Sequence, residues 1–257
     1  MLYFFQNKRA HEQTTSYIEK QTDYTYLTQI GEGSYGVAYL LEQDATKQRA
    51  VLKRLKPKHH HRRGRARFEQ EMQFLQQLQS LPVPQMMMAG TIDNSPFYVM
   101  SYVDGETFEQ AIFERQAVFS IVNTLHYTKM LLEILQQLHA KGIVHRDLRI
   151  PNIILKNGQL TILDFGLATT IDPHFSVTHL KNPKKAPHPM SDLYALGHFM
   201  LFLLYSTYEP TTKKSTSWQQ ELALPDAVKA FIERLLTIQQ PFLNCEEALV
   251  ELARLSK

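Results

Sequence analysis

The chain has 257 residues, 44% of them hydrophobic and 21% charged, a globular composition that excludes a disordered, collagen-like or disulfide-stapled chain. It has one cysteine, Cys245, so no intrachain disulfide can form, and we expect a reducing, cytoplasmic environment. The net charge of +3 is too small to indicate nucleic-acid binding by itself. The longest mostly apolar stretch, 193–205, is shorter than the roughly 20 residues that a spanning helix needs, so no transmembrane segment is expected.

The first part of the chain, up to about residue 104, is predicted to be rich in β-strands. Residues 1–22 are polar apart from Leu2 to Phe5 and are predicted to form a loosely held extension. Phe68, Met72 and Leu75 recur at helical spacing and predict one helix. Segments rich in β-branched and aromatic residues predict the strands. These segments are 24–28, 37–41, 50–53, 87–92 and 97–103.

After Gly105 the pattern becomes mainly helical. Apolar residues between 122 and 138 form one face of a long helix that ends at Lys141-Gly142. Two short strands, 153–155 and 161–163, are predicted on either side of the Asn157-Gly158 turn, and only helices are predicted beyond residue 190. The sequence therefore predicts a small β-rich part and a larger helical part, with a hinge near 103–105.

A glycine cluster, Gly31-Glu32-Gly33-Ser34-Tyr35-Gly36, lies between two predicted strands. It could be a flexible hairpin turn, or a loop whose backbone N–H groups approach a phosphate closely. A dinucleotide-binding turn would open a helix instead, and the strand-like sequence after Gly36 argues against that. Lys53, in the third predicted strand, could pair with Glu71 or with Glu69 on the following helix. Glu71 is favoured, because its neighbours Met72 and Leu75 face the core and place it near the buried edge of the helix.

Ionisable side chains are concentrated in residues 145–152, His-Arg-Asp-Leu-Arg-Ile-Pro-Asn, directly after the long helix. Asp164-Phe165-Gly166 follows the second short strand of the hairpin. Either motif alone could be a polar loop or a turn, but their order and spacing together favour a catalytic site.

These motifs resemble those of eukaryotic-type (Hanks-type) protein kinases, in the right order from about Tyr24 to Asp192. The compact C-terminal half resembles short serine/threonine kinases of Bacillus-type bacteria. The resemblance implies an α+β, two-lobed protein kinase-like fold. It also implies an N-terminal extension at 1–22 and a kinase domain at 23–257, with an N-lobe at 23–103 and a C-lobe at 104–257.

The resemblance further implies transfer of the γ-phosphate of ATP, bound with Mg²⁺, to serine or threonine hydroxyls of a protein substrate. Asn152 and Asp164 would hold the metal, and Asp147 would accept the proton of the substrate hydroxyl. The implied catalytic residues are Lys53, Glu71, Asp147, Arg149, Asn152 and Asp164. The implied ATP-binding residues are Ile30, Gly31, Glu32, Gly33, Ser34, Tyr35, Gly36, Val37, Ala38, Val51, Lys53, Met100, Ser101, Tyr102, Val103 and Ile154. Asp192 would brace the catalytic loop.

Several residues depart from the family pattern. Arg149 stands where serine/threonine kinases usually carry lysine, so a dual specificity stays open. Ala38 and Val51 look like a volume-conserving exchange over the adenine. The segment between Asp164 and Asp192 is short, and no Ala-Pro-Glu motif or partner arginine is evident, which predicts an abbreviated substrate platform. A small-molecule kinase of the antibiotic-phosphotransferase type, or a non-catalytic ATP-binding module, are therefore the alternatives.

Two further segments have open interpretations. Residues 56–67 carry six Lys or Arg and three adjacent His. They are interpreted as a solvated loop, or as a contact for an acidic substrate, nucleic acid or membrane surface. The segment lacks the interleaved aromatic residues of single-strand binding, so it gives no strong nucleic-acid signal. Arg146 could meet a phosphate on Thr169, Thr170, Ser176 or Thr178, or these residues could be an unmodified loop.

Overall fold

The computed structural model describes residues 2–33, 35–176, 182–209 and 216–255. The chain divides into two compact units, Met1–Asp104 and Gly105–Lys257. Each unit is described separately below.

The first unit is built on a five-stranded antiparallel sheet with strand order β1-β2-β3-β5-β4. The central strand β3 pairs with β2 on one side and β5 on the other. Its residues Ala50, Val51 and Leu52 are buried, and Ala50 and Leu52 belong to one core with residues of β2 and β5. The elements in chain order are α1 (Leu2–Gln21), β1 (Tyr24–Glu32), β2 (Gly36–Gln43), β3 (Arg49–Leu55), α2 (Arg62–Gln77), β4 (Met86–Ile92) and β5 (Ser95–Ser101).

The N-terminal segment is a helix that packs on the sheet, so the prediction of a loosely held extension is wrong. Thr14 and Ile18 of α1 have no exposed surface, and Ile18 belongs to one core with residues of β2 and β5. The ring of Tyr17 lies 5.3 Å from that of Phe97, edge to face. The mostly polar composition of residues 6–21 gives little sequence signal for this packing. Part of the attachment is polar, because Arg54 of β3 donates to the carbonyl of Ala10 and to Thr14.

Helix α2 begins inside the basic segment 56–67. The side chain of its N-cap residue, His61, accepts a hydrogen bond from the N–H of Gly64 at 3.2 Å. A Cβ at Gly64 would lie 2.2 Å from the carbonyl oxygen of His59, so only glycine allows this close packing. The apolar face of α2 buries Phe68 and Leu75, as the helical spacing predicted, whereas Met72 is half-buried and Phe74 is buried in addition.

The second unit is mainly helical. Its helices are α3 (Phe108–Phe113), α4 (Ile121–Ala140), α5 (Met190–Tyr205), α6 (Trp218–Glu221), α7 (Asp226–Leu235) and α8 (Cys245–Leu255). Its short strands are β6 (Glu106–Thr107), β7 (Ile143–Val144), β8 (Ile153–Lys156), β9 (Gln159–Ile162) and β10 (Thr169–Thr170). Helix α5 contacts both α4 and α7 and buries residues around most of its circumference, as expected of a helix at the centre of a core.

The predicted hairpin is β8–β9, whose turn residues Asn157 and Gly158 have φ angles of 50° and 76°. These values belong to the left-handed region that Asn and Gly tolerate best. Strand β6 adds to the same small sheet, and β10 pairs with β7. Within the described ranges, no helix is both long enough and apolar enough to cross a bilayer.

Candidate active site

The glycine loop connects β1 to β2 and is closed by a hydrogen bond from the N–H of Gly33 to the carbonyl of Gly36 at 3.0 Å. A Cβ at Gly36 would lie only 3.1 Å from Cγ of Lys53, so this position packs tightly on the lysine strand. At Gly31 and Gly33, by contrast, the nearest atoms to such a Cβ would be 4.0 and 3.9 Å away. Intramolecular packing therefore does not explain glycine at these two positions. Ser34 lies outside the described residues.

Lys53 and Glu71 form a short, largely buried ion pair. The Nζ of Lys53 lies 2.6 Å from Oε1 of Glu71, and the two side chains are 13% and 2% exposed. The competing candidate Glu69 is exposed on α2. Lys53 extends from β3 and Glu71 from α2, so the pair connects the strand to the helix. Because the carboxylate is buried and close, it holds the Lys53 ammonium group in one position.

Three of the residues expected to bind ATP share one face of the sheet. Ala38 of β2 is opposite Lys53 in the register, and Val51 precedes Lys53 by two residues in β3. Since side chains alternate along a strand, Ala38, Val51 and Lys53 point to the same side. Val51 is 5% exposed, Ala38 is half-buried and Ile30 is 45% exposed. Val37, which was also expected to bind ATP, instead packs against the core that contains Ile18 and Tyr39, on the face opposite to Ala38.

The segment after β5 has part of its backbone already engaged. The N–H of Ser101 donates to Gln85 at 2.8 Å, and the N–H of Tyr102 donates to Arg49 at 3.3 Å. The N–H groups of Ser101 and Tyr102 are therefore not the groups that adenine would use, although both residues were expected to bind ATP. Met100 and Val103 are half-buried, and Ile154 of the second unit is buried.

In the second unit, two side chains hold Asp147. Nε of Arg149 lies 2.7 Å from Oδ1 of Asp147, and Nη2 donates to Oδ2 at 3.1 Å. Nδ2 of Asn152 donates to the carbonyl oxygen of Asp147 at 2.9 Å and to Oδ2 at 3.0 Å. The carboxylate is thus oriented from two sides. The side chain of Arg149 is 62% exposed, whereas Asn152 is buried.

Asp192 of α5 binds the backbone just before Asp147. With no exposed surface, its carboxylate accepts the N–H of His145 at 2.9 Å and the N–H of Arg146 at 2.7 Å. His139 contacts the same carboxylate through Nε2 at 2.9 Å. These bonds hold Arg146 at a φ of 65°, a conformation that is costly for a non-glycine residue.

The pKa of Asp192 reflects two opposed causes. Burial raises the pKa of the carboxyl, but the hydrogen bond and charge of His139, together with further contributions from His145 and Arg146, outweigh it. The net result is a pKa below the usual range of aspartate. Asp192 therefore acts as a fixed negative charge beneath the loop.

The Asp164 motif is tied to the same frame. Nε2 of His145 lies 2.9 Å from the carbonyl oxygen of Leu163, and the N–H of Leu163 donates to the carbonyl of Asn152 at 2.8 Å. The buried ring of Phe165 contacts the His145 ring edge to face, with centroids 4.8 Å apart. Asp164 itself is exposed with a φ of 56°, and its Oδ1 accepts the N–H of Gly166 at 3.2 Å.

Asn152 and Asp164 have the donor chemistry that a hard divalent cation requires. The amide nitrogen of Asn152 is used by Asp147, which leaves the amide oxygen as the group that can bind a cation. The carboxylate of Asp164 provides two further oxygen acceptors of the same hard kind. Oxygen ligands of this kind suit Mg²⁺.

Sequence reasoning missed three residues that support the site. His139 lies four residues after Leu135 on the buried side of α4, so helical spacing could have identified it. Lys56 and Arg67 of the basic segment contact the glycine loop, and no local pattern shows this. The segment 56–67 is therefore not simply a solvated loop.

The candidate phosphorylation sites are only partly described. Thr169 and Thr170 form β10 and pair with Val144 and Ile143 of β7. Ser176 is exposed, and Thr178 lies outside the described residues. Their modification stays a prediction.

Comparison with known proteins is consistent with this geometry. A family model described as "Protein kinase domain" matches residues 24–241. A Bacillus subtilis protein described as a probable serine/threonine-protein kinase, YbdM, is 35% identical over 214 residues, covering 83% of this chain and 81% of that protein. The serine/threonine-protein kinase PknA of Nostoc sp. is 30% identical over 208 residues, covering 70% of this chain and 36% of its own length.

Among solved structures, the kinase domain of Mycobacterium tuberculosis PknI superposes with a TM-score of 0.65 at 22% sequence identity. The match covers 90% of this chain and 95% of the PknI chain. At this identity the likeness concerns the fold.

Proposed function

The chain belongs to the serine/threonine protein kinase family, and from that membership we propose that it transfers the γ-phosphate of ATP, with Mg²⁺, to serine or threonine hydroxyls of a protein. The observation that carries the proposal is the arrangement around Asp147, which Arg149 and Asn152 orient and Asp192 supports through the loop backbone. Phosphoryl transfer depends mainly on positioning and charge neutralisation, and this arrangement serves both.

Asp147 is the residue that we assign to contact with the substrate hydroxyl. Its carboxylate would accept the proton of the attacking hydroxyl and align that oxygen with the γ-phosphorus. Asn152 fixes Oδ2 and the backbone carbonyl, so the carboxylate cannot rotate freely. The exposed guanidinium of Arg149 would also neutralise charge on the transferring phosphate. Its planar group can contact two phosphate oxygens at once.

The first unit supplies the groups that we assign to the nucleotide. Lys53, held by Glu71, would bind the α- and β-phosphates. Glycine at positions 31 and 33, which intramolecular packing does not require, would let the loop backbone approach the phosphates closely. At the adenine, we assign the N–H of Val103 and the carbonyl oxygens of residues 101–103, because the N–H groups of Ser101 and Tyr102 are already engaged.

The side chains of Asn152 and Asp164 would hold Mg²⁺. When bound, the metal supplies charge neutralisation to the phosphate oxygens. Residues 24–241 match the family, and we assign the kinase domain to 23–257, with lobes at 23–103 and 104–257. The extension 1–22 lies outside the family match, but α1 is part of the first compact unit.

The test is incubation of the full chain with ATP and Mg²⁺, followed by mass spectrometry of the protein, an added protein substrate and a small-molecule extract. We expect phosphate on serine or threonine of protein. Asp147→Asn should lower the rate at least about 100-fold, the usual worth of a positioned general base, while equilibrium binding of ATP is retained. Asp226→Asn, an exposed aspartate on α7, serves as the control.

Two results would contradict the proposal. Phosphate found only in small molecules would indicate a small-molecule kinase. ATP binding without any turnover in the unmodified chain would indicate a non-catalytic module.

A further inference from the structure

The basic segment 56–67 contacts the glycine loop at two points. The first contact is Lys56, which directly follows β3. Its Nζ lies 2.6 Å from Oε1 of Glu32, and its own backbone N–H donates to the carbonyl of Tyr35 at 2.8 Å. The Lys56 side chain is only 5% exposed, while Glu32 is 48% exposed. A nearly buried ammonium needs a fixed anionic partner, so this contact fixes the first half of the loop.

The second contact is at the tip of the loop. Nη1 of Arg67 donates to the hydroxyl of Tyr35 at 2.6 Å, and the guanidinium lies 5.1 Å from the centre of the Tyr35 ring. The ring of His59 lies against the same tyrosine, with centroids 4.6 Å apart. The Tyr35 side chain is thus held by a charge-assisted hydrogen bond, a cation–π contact and a ring contact.

The contact at the tip is connected to the Lys53–Glu71 pair through α2. Arg67 and Glu71 are four residues apart on this helix, and side chains with that spacing lie on the same face. Helix α2 therefore holds the tip of the glycine loop with Arg67 and the ammonium of Lys53 with Glu71. A displacement of α2 would loosen both at once.

We propose that Lys56 and Arg67 are positioning residues that keep the glycine loop in its nucleotide-binding conformation. Arg67 acts through Tyr35, and Lys56 acts through Glu32. The proposal rests on the proposed use of this loop for ATP. Its physical basis is preorganisation, because a loop that is already held loses less conformational freedom when the ligand binds.

The test at the tip combines Arg67→Gln with Tyr35→Phe. Equilibrium binding of ATP with Mg²⁺ is measured by calorimetry at fixed ionic strength, and melting temperature is measured in parallel. We expect each substitution to raise the Kd for ATP about 3- to 10-fold, the range that corresponds to ordering one or two side chains. The KM for ATP should rise in parallel, with a smaller change in kcat.

The matched control is Arg63→Gln, which removes the same charge from an exposed position on the same helix. If the contact is responsible, the double substitution of Arg67 and Tyr35 should weaken binding less than the product of the single effects. An unchanged Kd in both single variants, an equal shift in Arg63→Gln, or multiplicative effects in the double variant would overturn the proposal for Arg67. If Arg67→Gln does not fold, Tyr35→Phe still tests the contact, because it removes the hydroxyl that accepts the hydrogen bond from Arg67.

The test of the Lys56 contact is Glu32→Gln, compared with Glu42→Gln. Glu42 forms a surface ion pair with Lys47 at 3.4 Å on the same sheet, so it loses the same charge without touching the loop. We expect a several-fold rise in the Kd for ATP with Glu32→Gln only. Equal behaviour of the two variants would overturn the role of Lys56. Because binding is read without turnover, these results are independent of whether phosphate is transferred.

Discussion

At the scale of single residues, Asp192 of the second unit is a fully buried carboxylate with several partners. Its carboxylate has no exposed surface and accepts three hydrogen bonds, two of them from the backbone N–H groups of His145 and Arg146. A buried charge that is paired in this way is costly to leave incomplete. The residue therefore links the stability of the unit to the geometry of Asp147, which follows Arg146 in the chain.

Replacement of Asp192 by Asn should destabilise the protein by about 3 kcal/mol at neutral pH, since one acceptor and the charge that faces His139 are lost. The pKa of Asp192 is lowered in the folded state, so its contribution is present above the unfolded pKa of about 4. It is lost as the pH falls through the folded pKa. The difference in free energy of unfolding between the two proteins should therefore shrink below about pH 4.

Urea unfolding at several pH values measures this difference. Asp226→Asn, at an exposed position of α7, is the control. A difference for Asp192→Asn that stays constant down to about pH 2 would contradict the assignment of the stabilisation to the carboxylate.

At the scale of elements, the attachment of α1 to the sheet depends on one buried cation. Arg54 of β3 is 4% exposed, and burial lowers its pKa. Its Nη1 donates to the carbonyl of Ala10 at 2.7 Å and to Oγ1 of Thr14 at 2.8 Å. Its Nη2 donates to the carbonyl of Ile92 at 3.0 Å. Two of these three acceptors belong to α1, so the helix is required to satisfy the guanidinium.

Thr14→Val keeps the shape of the side chain but removes an acceptor from Arg54. We expect a loss of about 2 kcal/mol in the free energy of unfolding, the typical value for a buried hydrogen bond to a charged group. Thr15→Val, on the next position of the same helix, removes a hydroxyl that contacts only its own helix, at Glu12, and should cost much less. Equal losses in denaturant unfolding would show that Thr14 does not anchor α1 through Arg54.

At the scale of the whole molecule, the proposed activity predicts that ATP stabilises the folded chain in a metal-dependent way. A ligand that binds only the folded state at 100 times its Kd adds about 2.7 kcal/mol. For a chain of this size, this corresponds to a rise in Tm of several degrees. The rise should be larger with Mg²⁺ than with ATP alone, because Asn152 and Asp164 are the proposed ligands.

Asp164→Asn should abolish the additional rise that Mg²⁺ produces and retain the part due to ATP alone. Asp172→Asn is a matched control, since Asp172 accepts the N–H of His174 at 2.9 Å in the same way as Asp164 accepts that of Gly166. Thermal unfolding with ATP, with and without Mg²⁺, gives the comparison. A Mg²⁺-dependent rise that persists in Asp164→Asn would remove Asp164 from the metal site.

The family, the fold class and most of the secondary structure of this protein could be predicted from its sequence. The predicted family and the α+β kinase fold are confirmed, and the predicted strands and the long helices appear close to their predicted positions. These features follow from local information, namely the spacing of apolar residues, glycine and asparagine at turns, and short motifs in a set order. The sequence also named Glu71 as the favoured partner of Lys53, because the apolar spacing of α2 places it at the buried edge.

The way in which distant segments support the site became visible only in the folded chain. Helix α1 is contacted by a buried cation of β3, and Lys56 and Arg67 of the basic segment contact the glycine loop, although Arg62 and Arg63 of the same segment are exposed. Strands of two residues, such as β7 and β10, exist only because they pair with each other. In each case the stabilising partner lies far away in the chain, and neither the periodicity of a segment nor its composition shows which buried charge it will meet when the chain packs.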